Sequence, residues 1–419
     1  MHGGRTVAVA LSGGRDSVAL LHAARAALAA MAADAAPLPL VALHVHHGLQ
    51  QGADDWDRFC ADLCAQWGVA YRGARVTVTP EAGEGIESAA RRARYDALTR
   101  LCRDERAGCL LFGHHLDDQV ETVLLRLFRG SGVHGLAGMP AIRRLADDAD
   151  IVLLRPWLEV PRADIERYCA RHRLAWIDDP SNLDLRFARN ALRQQLPGLI
   201  SAFPALRGNV AQAAAHLAEA ARALDEMAAS QLASIVHPGR DAATLAELDV
   251  DRLRALPKEQ GDAVLRLWLR DLGARAPSSA RLAAMRAQLI EHHGGEPALR
   301  HDGLVLRRFQ RRVLACHDAG QAPSASVPLS WRGEARIAVP EWRGELRFFR
   351  DDTFGVPEAA LRAPLTLGPR MPGDRIVLRP GGHARALKQA YQEAGVPAWR
   401  RAHLPLLRTG GQPGQTDAA

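Results

Sequence analysis

The sequence predicts an α/β protein: an open parallel sheet with helices on both faces, followed by a helical domain and a small C-terminal α/β domain. Three observations predict it. Over the first 175 residues, short apolar runs alternate with longer segments whose apolar residues recur at helical spacing. From residue 205 the chain turns Ala-rich and helical in pattern. Beyond a stretch rich in Gly, Pro and Ser at 320–328, short alternating segments return.

Thr6–Leu11, Leu40–Val45, Arg75–Val78, Cys109–Phe112 and Ile151–Leu154 read as strands, because each is a short apolar run of strand length. Between them Asp16–Ala33, Asp54–Trp67, Glu87–Arg106 and Asp117–Phe128 read as helices, and Arg162–Arg173 adds another. Alternation of strand and helix implies parallel strands joined by right-handed crossovers. Ligands on such a sheet bind at the carboxyl ends of its strands. Ala205–Ala233 has Gly208 as its one glycine, and Leu245–Leu272 and Ser279–His292 read as further amphipathic helix. Ala335–Val339 and Glu345–Phe349 alternate as strands. The implied domains are residues 1–200, 201–319 and 329–408, with a linker at 320–328 and a Gly/Gln-rich tail at 409–419 expected to be disordered.

The 419 residues are 47% hydrophobic, enough for more than one core. Net charge is +7, but all the basic residues except Lys258 and Lys388 are arginine, as a coding bias would also produce, so position matters more than total. Residues 1–250 carry 27 Arg against 30 acidic residues, net −3, whereas residues 251–419 carry 27 basic against 17 acidic, net +10. A polyanion such as nucleic acid would therefore bind the C-terminal part. Six cysteines with no Cys-x-x-Cys pair exclude a disulfide framework and a redox dithiol, and fit a reducing cytosol. Thr6–Leu11 is shorter than a signal-peptide core, and no apolar run approaches the ~20 residues of a membrane span. A cytoplasmic protein with no membrane partner is expected.

Ser12-Gly13-Gly14-Arg15-Asp16-Ser17 joins the first strand to the first helix. Two glycines let the backbone turn tightly and present consecutive N–H groups to an anion at a helix N-terminus. Pyrophosphate is the natural occupant, with Ser12 and Ser17 adding hydroxyl donors. Asp16 either binds Mg²⁺ or complements the helix dipole. The turn lacks Gly-Lys-Ser/Thr and is not Gly-x-Gly-x-x-Gly, which excludes a Walker-type loop and the dinucleotide fingerprint.

A second cluster, His114-His115-Leu116-Asp117-Asp118-Gln119-Val120-Glu121, follows the fourth strand. Asp118 and Glu121 are three apart and share a helical face, while Asp117 points elsewhere. Acidic residues in a first turn also complement the helix dipole. The His-x-x-Asp spacing is open to a transition metal, although no further ligand cluster completes a set. Arg91 and Arg94, one helical turn apart, are either cationic help for developing negative charge or ordinary solvated arginines. His46 and His47 end the second strand, where packing is as natural a role as nucleotide contact. Arg129-Gly130-Ser131-Gly132 reads as a helix stop with Gly130 left-handed, and Gly135-Leu136-Ala137-Gly138 as a mobile loop.

Ser12–Ser17 resembles the PP-loop of the ATP-pyrophosphatase superfamily, an adenine nucleotide alpha hydrolase-like fold whose enzymes adenylate a carbonyl-type oxygen and release pyrophosphate. His44-Val45-His46-His47-Gly48-Leu49, Ala90–Tyr95, Gly113–Thr122, Arg129–Gly132, Gly135–Met139 and Asp178–Asn182, in that order, make the chain resemble the tRNA(Ile)-lysidine synthetase family. The resemblance is dense over residues 7–195 and returns at Arg370–Leu407. It implies that ATP and free L-lysine are joined to the wobble cytidine of tRNA(Ile) bearing a CAU anticodon. ATP would then be bound by Ser12, Gly13, Gly14, Arg15, Asp16, Ser17, His44 and Gly113, with Mg²⁺ at Asp16. Asp118 and Glu121 would bind lysine, and Asp16, Asp118, Glu121, Arg91 and Arg94 would be catalytic. A cationic amino acid needs a carboxylate, yet its ammonium must lose a proton before attacking. Which of the two carboxylates takes that proton is open at this point.

Gly368–Asp374, Leu387-Lys388-Gln389 and Val396–Arg401 resemble the family's terminal tRNA-binding domain, which makes Arg129, Lys388, Arg400 and Arg401 the expected tRNA contacts. A homodimer is the candidate assembly. The family pattern continues past Pro405-Leu406-Leu407 into further apolar strands, whereas this chain passes into Thr409–Pro413, so the terminal sheet is expected to have an exposed edge. Two rival readings are a tRNA cytidine thiolase, opposed by the missing Cys-x-x-Cys, and a non-catalytic tRNA-binding protein, opposed by the intact Ser12–Ser17 and Asp118–Glu121 motifs.

Overall fold

The computed structural model describes residues 6–32, 38–46, 48, 52–80, 85–145, 148–180, 184–239, 243–292, 294–318, 320–342, 344–351, 355–377, 383–409 and 416–417. The chain forms two compact units, Met1–Met227 and Ala228–Ala419.

In the first unit the order is β1 Thr6–Ala10, α1 Arg15–Met31, β2 Leu40–His46, α2 Ala53–Trp67, β3 Ala70–Arg75, α3 Ile86–Asp104, β4 Ala107–Leu111 and α4 Leu116–Phe128. There follow α5 Val133–Leu136, β5 Ile142–Leu145, β6 Asp148–Leu154, α6 Arg162–His172, α7 Ala188–Ala202 and α8 Leu206–Ile235, the last carrying the chain into the second unit. The sheet runs β3-β2-β1-β4-β6-β5, parallel except for β5, which pairs antiparallel with β6 at the edge. The central strands bury both faces, as a covered parallel sheet must. Ala8, Val41 and Leu43 pack on one side with Leu98 and Cys102 of α3, while Val9 and Ala42 pack on the other with Val18 and Leu21 of α1 and Cys60 and Cys64 of α2.

The third strand lies at Ala70–Arg75, not at the expected Arg75–Val78. It is a sheet edge with only half-buried and exposed side chains, apart from its pairing with β2 from Val41 opposite Ala70 to His46 opposite Arg75. Such a strand carries little apolar signal, and the pattern shifted the reading to the valines that follow it.

The second unit begins with a five-stranded antiparallel sheet. Its strands are β7 Val236–Pro238, β8 Thr244–Asp249, β9 Ala298–His301, β10 Leu304–Phe309 and β11 Arg312–His317, in the order β7-β8-β11-β10-β9. Helices at Lys258–Asp271 and Ser279–Met285 cover it, with Trp268, Leu265 and Leu269 packed against Leu248, Leu306 and Val313. The middle region thus has the expected helices and a sheet as well. The start of the expected helix Leu245–Leu272 is strand β8, because its pairing with β11 is a non-local contact that helical spacing does not reveal.

Three small sheets complete the unit. β12 Val327–Leu329, β15 Leu365–Gly368 and β18 Leu406–Thr409 form one, and β13 Arg336–Val339 with β14 Gly344–Arg347 form a hairpin. β16 Arg375–Val377 pairs with β17 Arg385–Ala386 and with β19 Thr416–Asp417. β18 is an edge strand, and three residues of the tail expected to be disordered lie in strands, Thr409 in β18 and Thr416 and Asp417 in β19. Residues 410–415 and 418–419 of that tail lie outside the described residues.

Candidate active site

A cavity of about 1020 Å³ opens at the carboxyl ends of β1, β2 and β4 in the first unit. Its floor is the turn after β1. Gly13 has φ +85°, a left-handed conformation that favours glycine, and Gly14 then caps α1 in an extended conformation. The turn is knitted by its own serines. Ser12 N donates to Ser17 Oγ at 3.1 Å, the two hydroxyl oxygens are 3.0 Å apart, and Ser17 Oγ donates to Gly14 O at 2.8 Å. From outside the turn, Ile177 N donates to Gly13 O at 2.9 Å.

The fourth strand closes on this turn. At Gly113 a Cβ would stand 2.8 Å from the Asp16 carbonyl oxygen, so only glycine fits there. On the second strand His44 is buried, and its Nδ1–H donates to Leu11 O at 2.8 Å. Burial holds the His44 pKa below the ordinary range.

The cavity is lined by Ser12, Gly14, Arg15, Asp16, Ser17, His44, Gly113, Arg91, Arg94 and Asp118 among the residues expected at the site. Gly13 lies beneath the turn against Cys60, and Glu121, 3% exposed, does not line the cavity. His46 lines it, 3.2 Å from Asp54 Oδ1, whereas His47 lies outside the described residues. Asp178, Asp179 and Pro180 line it too, and Ser181 and Asn182 of the same motif are outside the described residues.

The acidic helix is arranged differently from a pair of free carboxylates. His115 and Asp118 form a capping box at the start of α4, with His115 N donating to Asp118 Oδ2 at 3.1 Å and Asp118 N to His115 Nδ1 at 3.4 Å. His115 Nε2 sits 3.6 Å from Asp16 Oδ2 and 3.5 Å from Asp118 Oδ2, so one imidazole links the two acidic groups. Burial opposes a charge on His115, but the neighbouring carboxylates outweigh it and raise its pKa. Burial likewise opposes a charge on Asp16, yet His115 and Arg15 together hold its pKa below the usual range. Asp117 points away from the cavity: it accepts from Arg162 N at 2.9 Å and from Arg207 Nε at 2.6 Å.

Sequence reasoning missed the two arginines of α7. Arg189 Nε donates to Glu121 Oε2 at 2.6 Å and Arg193 Nε to Glu121 Oε1 at 2.5 Å. Each also reaches Asp118 Oδ1 through Nη2 at 3.2 Å. The available signal was the i,i+4 spacing of Arg189 and Arg193. On the same helix Leu192 and Leu196 pack against Val120 of α4, which sets the arginines beside the acids.

Cations crowd one side of the cavity. Arg91 and Arg94 of α3 line it together with Arg189 and Arg193. Burial lowers the Arg94 pKa, and among the described residues its Nε has no hydrogen-bond partner.

Arg129 stands apart, exposed at the end of α4, where Gly130 has φ +70°. The Gly135–Gly138 segment, expected to be mobile, is tethered. Arg126 Nη1 donates to Gly135 O and Gly138 O at 2.8 Å each, and the buried Gln119 amide exchanges two hydrogen bonds with the Met139 backbone.

Lys388, Arg400 and Arg401 are in the second unit. Lys388 is exposed, while Arg401 donates to Val396 O through Nε and Nη2 at 3.0 and 2.9 Å and so braces its own loop. In that unit Trp399 packs edge-on to Phe309 and lies under the Arg307 guanidinium, 4.9 Å from the ring centroid.

A magnesium ion fits Asp16. Its carboxylate lines the cavity, is held ionised and stands beside a phosphate-type turn. Among the described residues no group of three His, Cys, Asp or Glu side chains is placed to hold a metal, so the remaining ligands would be phosphate oxygens and water.

Comparison with known proteins accords with this geometry. Residues 2–199 match the PP-loop domain family, 248–314 the TilS substrate binding domain and 365–413 the TilS substrate C-terminal domain. The tRNA(Ile)-lysidine synthase of Ralstonia nicotianae is 51% identical over 417 residues, covering 97% of this chain and 87% of that protein. The chain belongs to the tRNA(Ile)-lysidine synthase family. Proteins of the same name from Burkholderia pseudomallei and Pseudomonas aeruginosa are 41% and 39% identical, covering 96% and 95% of this chain and 86% of each relative. Among solved structures, the U34-tRNA thiolase NcsA from Methanococcus maripaludis is similar at TM-score 0.44 and 18% identity, over 52% of this chain and 73% of that chain. This member of the lysidine synthase family is thus an ATP-using ligase with a PP-loop domain. No helix among the described residues is long and apolar enough to cross a membrane.

Proposed function

We propose that this enzyme joins free L-lysine to C2 of the wobble cytidine in the CAU anticodon of tRNA(Ile), through an adenylated cytidine. The product, lysidine, changes codon and amino-acid specificity from Met to Ile. One observation carries the reading: a single cavity brings the Ser12–Ser17 turn, the Asp118 carboxylate and Arg91, Arg94, Arg189 and Arg193 together.

The turn's N–H groups and serine hydroxyls bind the β- and γ-phosphates of ATP, and His44 and Gly113 border the nucleotide. Asp16 and the phosphates would hold Mg²⁺, which when bound neutralises charge on the departing pyrophosphate. The cytosine O2 attacks the α-phosphorus, an O–P bond forms, and pyrophosphate leaves with the electron pair of the broken P–O bond. Arg91, Arg94, Arg189 and Arg193 line the cavity and offset the negative charge that develops.

Lysine's ε-ammonium then meets Asp118, the carboxylate at the cavity wall. Asp118 takes one proton, the free amine forms the N–C2 bond, and the C2–O2 bond breaks as AMP leaves with O2 and the second amine proton. Glu121 has another role. Buried behind Asp118, it anchors Arg189 and Arg193 and so shapes the wall that the amine approaches.

The second unit binds the tRNA, with Lys388, Arg400 and the +10 charge of residues 251–419 as its phosphate contacts and Arg129 adding one from the first unit. The protein acts in the cytoplasm, and a homodimer is the proposed assembly. ATP with labelled lysine should label tRNA(Ile) carrying CAU and release one AMP and one pyrophosphate per lysine. Binding of that tRNA without label transfer would leave only a tRNA-binding protein.

A further inference from the structure

His114 has no place in the reaction as derived so far, yet it lines the cavity and its ring is held on two sides. Phe112 stacks on it, ring centroids 5.5 Å apart and planes within 10° of parallel. Arg155, 3% exposed, donates Nε–H to His114 Nδ1 at 3.3 Å, and is itself fixed by Nη1 donating to Pro140 O at 2.7 Å. A guanidinium only donates, so Nδ1 must be the accepting nitrogen and the ring proton must sit on Nε2.

We propose that His114 is a further substrate-binding residue, its Nε2–H donating to an oxygen of the nucleotide α-phosphate, with Arg155 as the positioning residue that sets the tautomer. Three features favour this ligand. The ring stands at the end of the strand beside the phosphate turn, one residue past Gly113. Around it Arg155, Arg189, Arg94 and Arg91 create a field that attracts an anion and repels a proton. Burial first and those four arginines second push the His114 pKa down to about 3, so the imidazole remains a neutral donor at working pH. A neutral imidazole protonated on Nε2 still donates one hydrogen bond to a phosphate oxygen.

The assignment rests on nucleotide binding and not on lysine transfer, so AMP is the probe, measured by its displacement of ATP from the full-length chain. His114→Leu should weaken AMP binding about tenfold or more, the loss expected for a hydrogen bond to a charged group. His114→Gln, whose amide N–H reaches the Nε2 position, should stay within about threefold of wild type. Ring ¹⁵N shifts should show Nδ1 unprotonated with no titration between about pH 5 and 8. Arg155→Met should mix the two tautomers. Equal AMP affinity in wild type and His114→Leu, or AMP that fails to displace ATP from wild type, overturns the proposal. Absence of lysine transfer alongside the expected AMP series would instead remove the reaction proposed above and leave His114 in place.

Discussion

Arg193 and Glu121 are joined across 72 residues of sequence by an Nε–H to Oε1 hydrogen bond of 2.5 Å. Arg189 completes the pair on the other carboxylate oxygen, so a 3%-exposed acid is matched by two arginines whose side chains are about 32% and 31% exposed. Removing the acid leaves two cations that still reach water, which moderates the cost. Glu121→Ala should lower stability by about 2 kcal/mol, below the range for breaking a fully buried pair. It should also disorder the wall at Asp118 and cut lysine transfer, with tRNA affinity unchanged. Urea unfolding and lysine KM measure both effects, and wild-type values in both would remove the anchoring role.

Asp118 has a structural part in the capping box and, in the proposed reaction, a chemical part at the cavity wall, and two substitutions separate them. Asp118→Asn keeps a side-chain acceptor for His115 N and should unfold near the wild-type urea concentration. Asp118→Ala should lose about 1 kcal/mol of helix capping. Both should lose lysine transfer by at least about a hundredfold, the scale of a lost proton acceptor. Transfer by Asp118→Asn at the wild-type rate would refute the proton-accepting role.

Gly113 should tolerate no side chain. A Cβ there meets backbone, the Asp16 carbonyl at 2.8 Å, and not a side chain that can swing aside. Gly113→Ala should therefore displace the phosphate turn at a cost of about 1–3 kcal/mol, the range for overpacking. ATP binding should weaken about tenfold or more, which calorimetry on the full chain would read. Unchanged ATP affinity would show that the turn shifts without consequence.

Stability should fall as pH drops below neutrality. The unfolded His114 ring binds a proton near 6.5 and the folded one only near about 3, so the unfolded state holds more protons between those values. The slope from one such group is at most about 1.4 kcal/mol per pH unit. His44, also lowered by burial, has the same sign. His115 has the opposite sign: its raised pKa contributes stability fully below about 6.5, lost as pH rises through the folded value. His114→Gln should make the acid-side decline shallower. An identical decline in wild type and variant would contradict the buried neutral ring.

In the second unit, Lys388 and Arg401 should behave differently. Lys388→Ala should weaken tRNA binding and reduce the salt slope by about one. Arg401 holds the Val396 carbonyl, so Arg401→Ala should lower the melting temperature. A salt slope unchanged by Lys388→Ala would take that residue out of the interface.

Local chemistry made much of the first unit legible. A strand of Thr6–Ala10 followed by two glycines and a serine-flanked aspartate specifies its own turn, because the left-handed Gly13 and the serine hydrogen bonds lie within six residues of one another. The spacing of Asp118 and Glu121 likewise placed both on one side of α4. Edge strand β3 and the five-stranded sheet of the second unit were not legible in the same way. Their pairing depends on distant partners, and their apolar pattern is weak or fits a helix equally well.

By itself the sequence determined the phosphate turn, the acidic helix and the family, since each depends on residues close together in the chain. Only the tertiary structure decided that the two acids have different surroundings. Packing of Leu192 and Leu196 on Val120 brings α7 against α4, and this contact, formed between segments some seventy residues apart, gives Glu121 to the arginines and leaves Asp118 at the cavity wall.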